Sequence, residues 1–356
     1  MKKLTNVIAL VFAFLLLAAA CGEDNEVQEN AESKIYLYGE AHADEEIIEK
    51  EYELWHDYYY NHGMRHLFIE ASYFTVHYMN EWMKSETDEI FEDIYEEWGG
   101  TPAHNEHTYN FYMRIKEECP ETVFHGHDIA GTGYIKYGIK YLQELRAQGK
   151  EDSDEYKYAE KIYKLSVKWN NTLISDPENG NLRENSMAEE FMREFDALEG
   201  ESVMGIYGAA HVVLGKKAFY GTVDNMGTQL QAVYGDNLYA EDLSKSPRRT
   251  DRWSVNGKEY DMYYYGDLEM ESWSEEFKSR EFWKVVEPES DFDDWKLTGE
   301  VLPYNNYPVN EIEVGDVFMV HYLRKDGGEE WRFYKADGTM ENDLESTRRI
   351  VSPDSE

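Results

Sequence analysis

The sequence predicts an α/β fold: a mostly parallel sheet with helices on both faces, followed by a small C-terminal antiparallel β extension. Between residues 35 and 245, short apolar runs alternate with long stretches in which apolar residues recur at helical spacing. This alternation is typical of a parallel sheet covered by helices. After about Pro247 the chain changes to short aromatic runs separated by turn residues. We therefore predict an α/β domain at residues 35–245 and a β-rich extension at residues 246–356.

Five apolar runs predict the strands of the parallel sheet. They lie at residues 34–40, 66–72, 122–128, 202–212 and 237–243. The first helix is predicted at 45–61, because Ile48, Tyr52, Trp55 and Tyr59 share one face. Further helices are predicted at 73–84, 86–98, 103–118, 134–147, 154–172 and 184–199. Thr101 and Pro102 have the pattern of an N-cap and first residue for the helix at 103–118.

The C-terminal region has the pattern of antiparallel hairpins. Asp326 and Gly327 separate two runs in which apolar and polar residues alternate, a strong hairpin signal. Other aromatic runs in this region are equally short and are bounded by turn residues. The pattern predicts a small extension and leaves open whether it forms a separate domain or an edge of the main sheet.

The N-terminus predicts export. Lys2 and Lys3 precede an apolar run at residues 7–17, and small residues then lead to Cys21. The run is too short to be a membrane-spanning helix of the mature protein, but it has the length of a secretory signal. The sequence before Cys21 resembles the lipobox of bacterial lipoproteins. This resemblance implies a signal peptide at residues 1–21, lipidation of Cys21 and an extracytoplasmic location on the cell membrane. The alternative is a plain secretory signal.

Charge and composition limit the partners. The formal net charge is −38 at pH 7, which argues against nucleic acid as a partner because phosphates would be repelled. Residues 22–34 are mostly acidic and polar and predict a flexible tether with little to bury. The rest of the chain is rich enough in aromatic and apolar residues to form a large core, since 42% of all residues are hydrophobic.

Polar residues follow four of the predicted strands. The first strand leads to Glu40 and His42, and the second leads to Glu70. The third and fourth lead to His127, Asp128 and His211. Ligands of open parallel sheets bind outside the carboxyl ends of the strands. We therefore expect these side chains to meet in one crevice, with His127 and Asp128 assigned from strand placement alone.

The motifs resemble one superfamily, which includes erythromycin esterase-like proteins, the haem-binding ChaN lipoproteins, and the TraB and Tiki proteins. They are GEAH at 39–42, FIEAS at 68–72, LRENSMAEEF at 182–191 and GAAH at 208–211. The match covers residues 35–245 but leaves the stretch at 85–120 and the C-terminal region unaccounted for. The resemblance implies that Glu40, His42, Glu70, Arg183 and His211 are the site residues.

The resemblance implies three kinds of chemistry. Esterase-like members use the first-motif histidine as a base that activates water, which here assigns that role to His42, with Glu70 holding its ring. Tiki members are metal-dependent proteases, which here makes His42, His211 and Glu70 ligands for a divalent metal such as Mn, Co or Zn. ChaN members bind haem. In the first two chemistries, Arg183 would neutralise an oxyanion or bind a substrate carboxylate.

The function expected from these observations is hydrolysis of an ester or amide bond in a small-molecule or peptide substrate, outside the cytoplasm and on a lipid anchor. The alternative is a haem- or metal-binding lipoprotein without catalytic activity. A structural or sensory lipoprotein with a degenerate site is a third interpretation. The presence of all five resemblance residues in one chain argues against it.

Overall fold

The computed structural model describes residues 33–130, 133, 135–288 and 290–353. The predicted signal peptide, Cys21 and nearly all of the acidic tether lie outside these residues. No helix of the described part of the chain is long and apolar enough to cross a membrane.

The first sheet consists of the five strands expected from the sequence. They are β1 (Ile35–Glu40), β2 (His66–Ile69), β3 (Val123–Gly126), β4 (Val203–Gly208) and β5 (Leu238–Asp242). Their order is β3-β2-β4-β1-β5, and every pair of neighbours is parallel. The carboxyl ends of β1, β2 and β4 therefore lie side by side in the middle of one sheet edge.

Helices cover both faces of this sheet. They are α1 (Glu45–Asn61), α2 (Tyr73–Met83), α3 (Glu89–Glu97), α4 (Glu106–Glu118), α5 (Lys136–Ala147), α6 (Asp154–Asn170), α7 (Pro177–Asp196), α8 (Ala209–Val212) and α9 (Met226–Tyr234). Side chains alternate between the faces of each strand. In β1, Tyr38 packs into the core formed with α1 to α6, whereas Ile35 and Leu37 pack into the core formed with α7 to α9.

The second sheet corrects the predicted fold class. It has seven antiparallel strands: β6 (Arg249–Val255), β7 (Lys258–Glu269), β8 (Phe277–Val285), β9 (Lys296–Pro303), β10 (Val317–Arg324), β11 (Glu329–Glu341) and β12 (Leu344–Val351). It has more strands than the parallel sheet, so the prediction of an α/β fold with a small β extension is wrong. Short aromatic runs indicate that a segment forms a β-strand. The number of strands that pair in one sheet depends on contacts between runs that are distant in the sequence.

The second sheet also carries apolar cores of its own. One core contains Phe282, Phe318 and Tyr334, and a second contains Trp283 and Phe292. A sheet that buries aromatic residues on both faces is a substantial folding unit and not an edge of the first sheet.

Two helix starts differ from the prediction. The cap of α4 is Asn105, whose side chain accepts a hydrogen bond from the Thr108 amide at 2.9 Å. Thr101 and Pro102 therefore lie in the linker before α4 and not at its start. The helix predicted at 184–199 begins seven residues earlier, at Pro177, with Asp176 as its cap. Proline is favoured in the first turn of a helix, so Arg183 lies in the second turn of α7.

The second sheet contacts the turn that follows β1. Arg248, next to the start of β6, forms an ion pair with Asp44 at 2.7 Å, and Arg249 pairs with Glu46. Asp44 is also the cap of α1 and accepts hydrogen bonds from the Glu46 and Ile47 amides. The C-terminal sheet therefore helps to fix the turn that carries His42.

Candidate functional site

A cleft of about 410 Å³ opens at the carboxyl edge of the parallel sheet. Its ionisable lining consists of Glu40, His42, Glu51, Glu70, Asp128 and Arg183. Its aromatic lining consists of Trp98, Phe111, Tyr112 and Trp169. The cleft lies where parallel α/β sheets bind ligands, and an aromatic wall with a few polar groups is typical of small-molecule sites.

Glu40 and His42 form a hydrogen-bonded pair at the opening of the cleft. Nδ1 of His42 lies 2.8 Å from Oε1 of Glu40, and 47% of the His42 side chain is exposed. The hydrogen bond to Glu40 raises the pKa of His42 to about 9, although partial burial opposes the charged form. Because Nδ1 is held by Glu40, Nε2 is the ring nitrogen left to exchange a proton with a ligand or water.

Arg183 joins two carboxylates on the inner side of the cleft. Its Nε and Nη2 donate to the two oxygens of Asp128, each at 2.9 Å, and Nη2 also donates to Oε1 of Glu70 at 2.6 Å. Burial alone would raise the pKa of Asp128, but Arg183 holds it below its usual value. None of the hydrogen bonds that Arg183 makes with the described residues uses Nη1. This nitrogen is left for water or a ligand oxygen.

Glu70 links Arg183 to the backbone of β4. Its second oxygen accepts a hydrogen bond from the Gly208 amide at 2.6 Å. Burial would raise the pKa of Glu70, but the positive charges of His211 and Arg183 outweigh it and lower the pKa. A methyl group on Gly208 would lie 3.1 Å from Nε2 of His42 and 3.2 Å from Oε2 of Glu70. The space left by this glycine therefore lets both side chains approach the end of β4.

His211 forms a second histidine–carboxylate pair behind the cleft. Its Nδ1 lies 2.5 Å from Oε1 of Glu184, and its Nε2 lies 3.6 Å from Oε1 of Glu70. The other oxygen of Glu184 accepts a hydrogen bond from the Met226 amide at 2.8 Å. Burial would lower the pKa of His211, but its bond to Glu184 raises it. His211 is not part of the cleft lining, so it contacts Glu70 from behind.

The structure brings together the five residues assigned by resemblance and changes one of their predicted relations. The carboxylate that holds the His42 ring is Glu40 and not Glu70, because the Glu70 oxygens are taken by Arg183 and Gly208. Asp128 lines the cleft as predicted from strand placement, but His127 does not. The buried ring of His127 lies against Phe68 and Phe191 on the other face of the sheet. Its Nε2 lies 3.1 Å from Oε2 of Glu194.

The predicted metal ligands do not form a metal site. Among residues 33–353 as described, no three His, Cys, Asp or Glu side chains are arranged to hold a metal ion. Glu70, the carboxylate assigned to the metal, is already bound by the Arg183 guanidinium. A fixed positive charge beside a ligand opposes the binding of a divalent cation. The side chains therefore do not fit the Mn, Co or Zn site expected from the resemblance.

The cleft is equally ill suited to haem. Haem sites use an axial ligand in an apolar pocket, whereas the His42 ring is paired with Glu40 at a polar opening. The two propionates of haem need basic partners, and the cleft lining has one basic residue besides His42, Arg183, against the four acidic residues Glu40, Glu51, Glu70 and Asp128. The charges of the cleft thus do not complement this ligand.

Sequence reasoning missed three parts of the site. Glu184 directly follows Arg183 in a motif that the sequence singled out, yet only the arginine was assigned a role. Glu51 stands on the apolar face of α1, and a carboxyl group among apolar positions is a signal that helical spacing makes visible. The aromatic wall comes partly from α4 and the linker before it. The local sequence of α4 and of this linker does not indicate that they line the site.

Comparisons with known proteins add little to this description. No known protein family and no curated protein matches the chain. A solved structure of a succinoglycan biosynthesis protein matches 59% of this chain at 12% identity and a TM-score of 0.43, and the chain spans 65% of that protein. A protein from Bacillus cereus matches 90% of this chain, over 86% of its own length, at 12% identity and a TM-score of 0.44. These values carry no argument about activity, and the superfamily resemblance stays a prediction.

Proposed function

We propose that this protein is a lipid-anchored, extracytoplasmic hydrolase of an ester or amide bond. The observation that carries the proposal is the Glu40–His42 pair at the opening of the cleft, with His42 Nε2 close to the Arg183–Glu70 pair. A histidine held by a carboxylate through one ring nitrogen is the usual arrangement of a general base.

His42 acts as the base that takes a proton from the attacking water. Glu40 fixes the tautomer, with the proton on Nδ1, and stabilises the imidazolium that forms. Because the pKa of His42 is about 9, the neutral, active form is a minor species at pH 7 and increases as the pH rises. Once protonated, the same imidazolium donates its Nε2 proton to the leaving group.

Arg183 stabilises the negative charge that develops on the substrate carbonyl oxygen. Arg183 lines the cleft and its Nη1 has no hydrogen-bond partner among the described residues, while Glu70 and Asp128 hold the rest of the guanidinium in place. A donor fixed in advance costs no reorganisation when the charge appears, so it lowers the barrier. Glu70, held from behind by His211, is a positioning residue in this scheme.

The resemblance to erythromycin esterase-like proteins supports the same chemistry. In that comparison the first-motif histidine is the base, and here that residue is His42. The metal-dependent chemistry of Tiki proteins and the haem binding of ChaN proteins receive less support, because Arg183 occupies the position next to Glu70. No step of the proposed reaction therefore needs a metal.

The first experiment measures hydrolysis of p-nitrophenyl acetate and of an alanine p-nitroanilide by the protein, with and without chelator. We expect activity that chelator leaves unchanged and that H42A lowers by about 10²- to 10⁴-fold. The matched control is H62A, because His62 is an exposed residue with no place in the cleft lining. Loss of wild-type activity on chelation would contradict the metal-free scheme.

The alternative function is tested on the same variants. If H42A and H211A both weaken haemin binding and the wild type hydrolyses no substrate, a binding lipoprotein would replace the hydrolase.

Export and anchoring need a separate measurement. Mass spectrometry of membrane-extracted protein should show a lipidated Cys21 at the N-terminus, and a soluble product cleaved elsewhere would disprove the anchor.

A further inference from the structure

Glu51 is a cleft residue that the proposed chemistry does not use. It lies on α1 among the buried residues Ile47, Ile48 and Tyr52, and only 3% of its surface is exposed. It nevertheless belongs to the cleft lining. Its Oε1 is fully buried and has no hydrogen-bond partner in the described part of the chain. A buried carboxyl oxygen without a partner is costly, so this position calls for an explanation.

The surroundings of Glu51 favour the uncharged acid. Burial is the largest cause that raises its pKa well above the usual value, and the nearby carboxylates Glu40 and Asp44 raise it further. Tyr112 of α4 lies near Glu40 and Glu51, and burial likewise raises the pKa of its phenol. No Arg or Lys of the described residues is among the groups that shift the pKa of Glu51. A carboxyl group that is buried in this way favours the protonated acid over the carboxylate.

We propose that Glu51 binds the substrate as an uncharged hydrogen-bond donor, so that the substrate carries a neutral oxygen acceptor apart from the bond that is cleaved. The acceptor is an ether, hydroxyl or carbonyl oxygen. This inference rests on the proposed hydrolase and names a substrate class for it. Arg183 stabilises the negative charge on the reacting carbonyl oxygen, and Glu51 selects the oxygen acceptor elsewhere on the substrate.

A purely structural role does not explain the residue. A glutamate that stabilised α1 would be paired, as Glu190 is with Lys161 and Arg193. An apolar residue at this position would continue the buried face of the helix at lower cost. An unpaired carboxyl on a residue that lines a cleft is instead the kind of group that distinguishes substrates by one hydrogen bond.

The test uses p-nitrophenyl hexanoate and its analogues in which one methylene at a time is replaced by an ether oxygen. These esters match in length and shape and differ in a single acceptor. We expect one ether position to raise kcat/KM over hexanoate by about 10-fold, the value of one well-placed hydrogen bond. Two further analogues, ending in trimethylammonium or carboxylate, test for an ionised Glu51.

Three variants separate the roles of Glu51. E51Q keeps a donor of the same shape and should retain the preference for the ether, whereas E51M removes the donor and should lose it through KM. E53Q, on the exposed side of the same helix, is the control and should behave as wild type. Equal defects in E51Q and E51M would overturn the inference in favour of proton transfer or ion pairing, as would a preference for the ammonium ester. Unchanged selectivity in E51M would overturn it in favour of a structural role.

Failure of the hydrolase proposal can be distinguished from failure of the inference about Glu51. If no ester is hydrolysed, binding of the matching primary amides is measured by isothermal titration calorimetry on the wild type and E51M. A preference for the ether amide that E51M abolishes supports the role of Glu51 even then.

Carboxyl ¹³C NMR of wild type and E51Q gives an independent readout of the ionisation of Glu51. A Glu51 carboxyl that is ionised at pH 7 would contradict the inference regardless of activity.

Discussion

The site contains two histidine–glutamate pairs whose chemistry is similar and whose surroundings differ. His42 and Glu40 lie at the opening of the cleft, with the histidine side chain 47% exposed. His211 and Glu184 lie behind the strand ends, where 6% and 2% of their side chains are exposed. In both pairs a carboxylate contacts Nδ1 and raises the pKa of the ring.

The difference in exposure indicates that the outer pair takes part in the reaction and that the inner pair stabilises the site. A base must reach substrate and water, and only the outer pair lines the cleft. The inner pair is satisfied by the protein itself, since Glu184 also holds the Met226 amide and His211 contacts Glu70. We therefore expect loss of the outer histidine to affect mainly the rate, and loss of the inner histidine to affect mainly the stability.

The largest expected effect tests this contrast. H211A should lower the free energy of unfolding by about 3–5 kcal/mol, because it leaves the buried Glu184 carboxylate without its partner. H42A should lower it by less than about 1 kcal/mol, because the His42 side chain is half-exposed and screened by water. Urea unfolding of both variants gives the comparison. Similar stability losses for the two would show that exposure does not separate their roles.

Arg183 connects the two pairs through Glu70, and its replacement tests the electrostatic part of the scheme. R183K keeps a positive charge but cannot donate to Asp128 and Glu70 in a planar fork. We expect kcat/KM to fall by about 10²-fold, in the range found for loss of one oxyanion donor. R193K is the control, because Arg193 is half-exposed and is not part of the cleft lining. A wild-type rate in R183K would exclude Arg183 from charge stabilisation.

A smaller effect is expected at Gly208, the glycine between His42 and Glu70. G208A adds a methyl group in tight contact with both side chains but requires no unusual backbone conformation. We expect kcat/KM to fall by about 10-fold, since small displacements of reacting groups are costly. G299A serves as the matched control, because a methyl group there meets open space. A wild-type kcat/KM in G208A would mean that His42 does not react in the position described.

The sequence predicted the parallel part of the fold well and the antiparallel part poorly. The runs at residues 34–40 and 202–212 form neighbouring strands because an apolar run between helices has few ways to pair. The C-terminal strands pair across long distances, as β9 does with β12. Local patterns signal each hairpin but do not reveal how many strands join one sheet, so the size of the second sheet was missed.

The site was predictable where topology decides it and unpredictable where packing does. Glu40, Glu70 and Asp128 lie at the carboxyl ends of β1, β2 and β3, which belong to one parallel sheet, and their meeting follows from that topology. His127 directly precedes Asp128, and the alternation of side chains sends it to the opposite face. Whether Glu40 or Glu70 holds His42 depends on side-chain geometry within one crevice, which residue order does not encode.

The central claim is that His42 is the base and that Glu40 sets its pKa. The most direct measurement is the pH dependence of kcat/KM for wild type and E40Q on the same ester. Because Glu40 stabilises the protonated ring, wild-type activity should rise with pH up to about 9. E40Q removes that stabilisation, so its rise should end at lower pH, towards the ordinary histidine pKa of about 6.5. Superimposable profiles for wild type and E40Q, or activity that falls as the pH rises from 7 to 9, would contradict the claim.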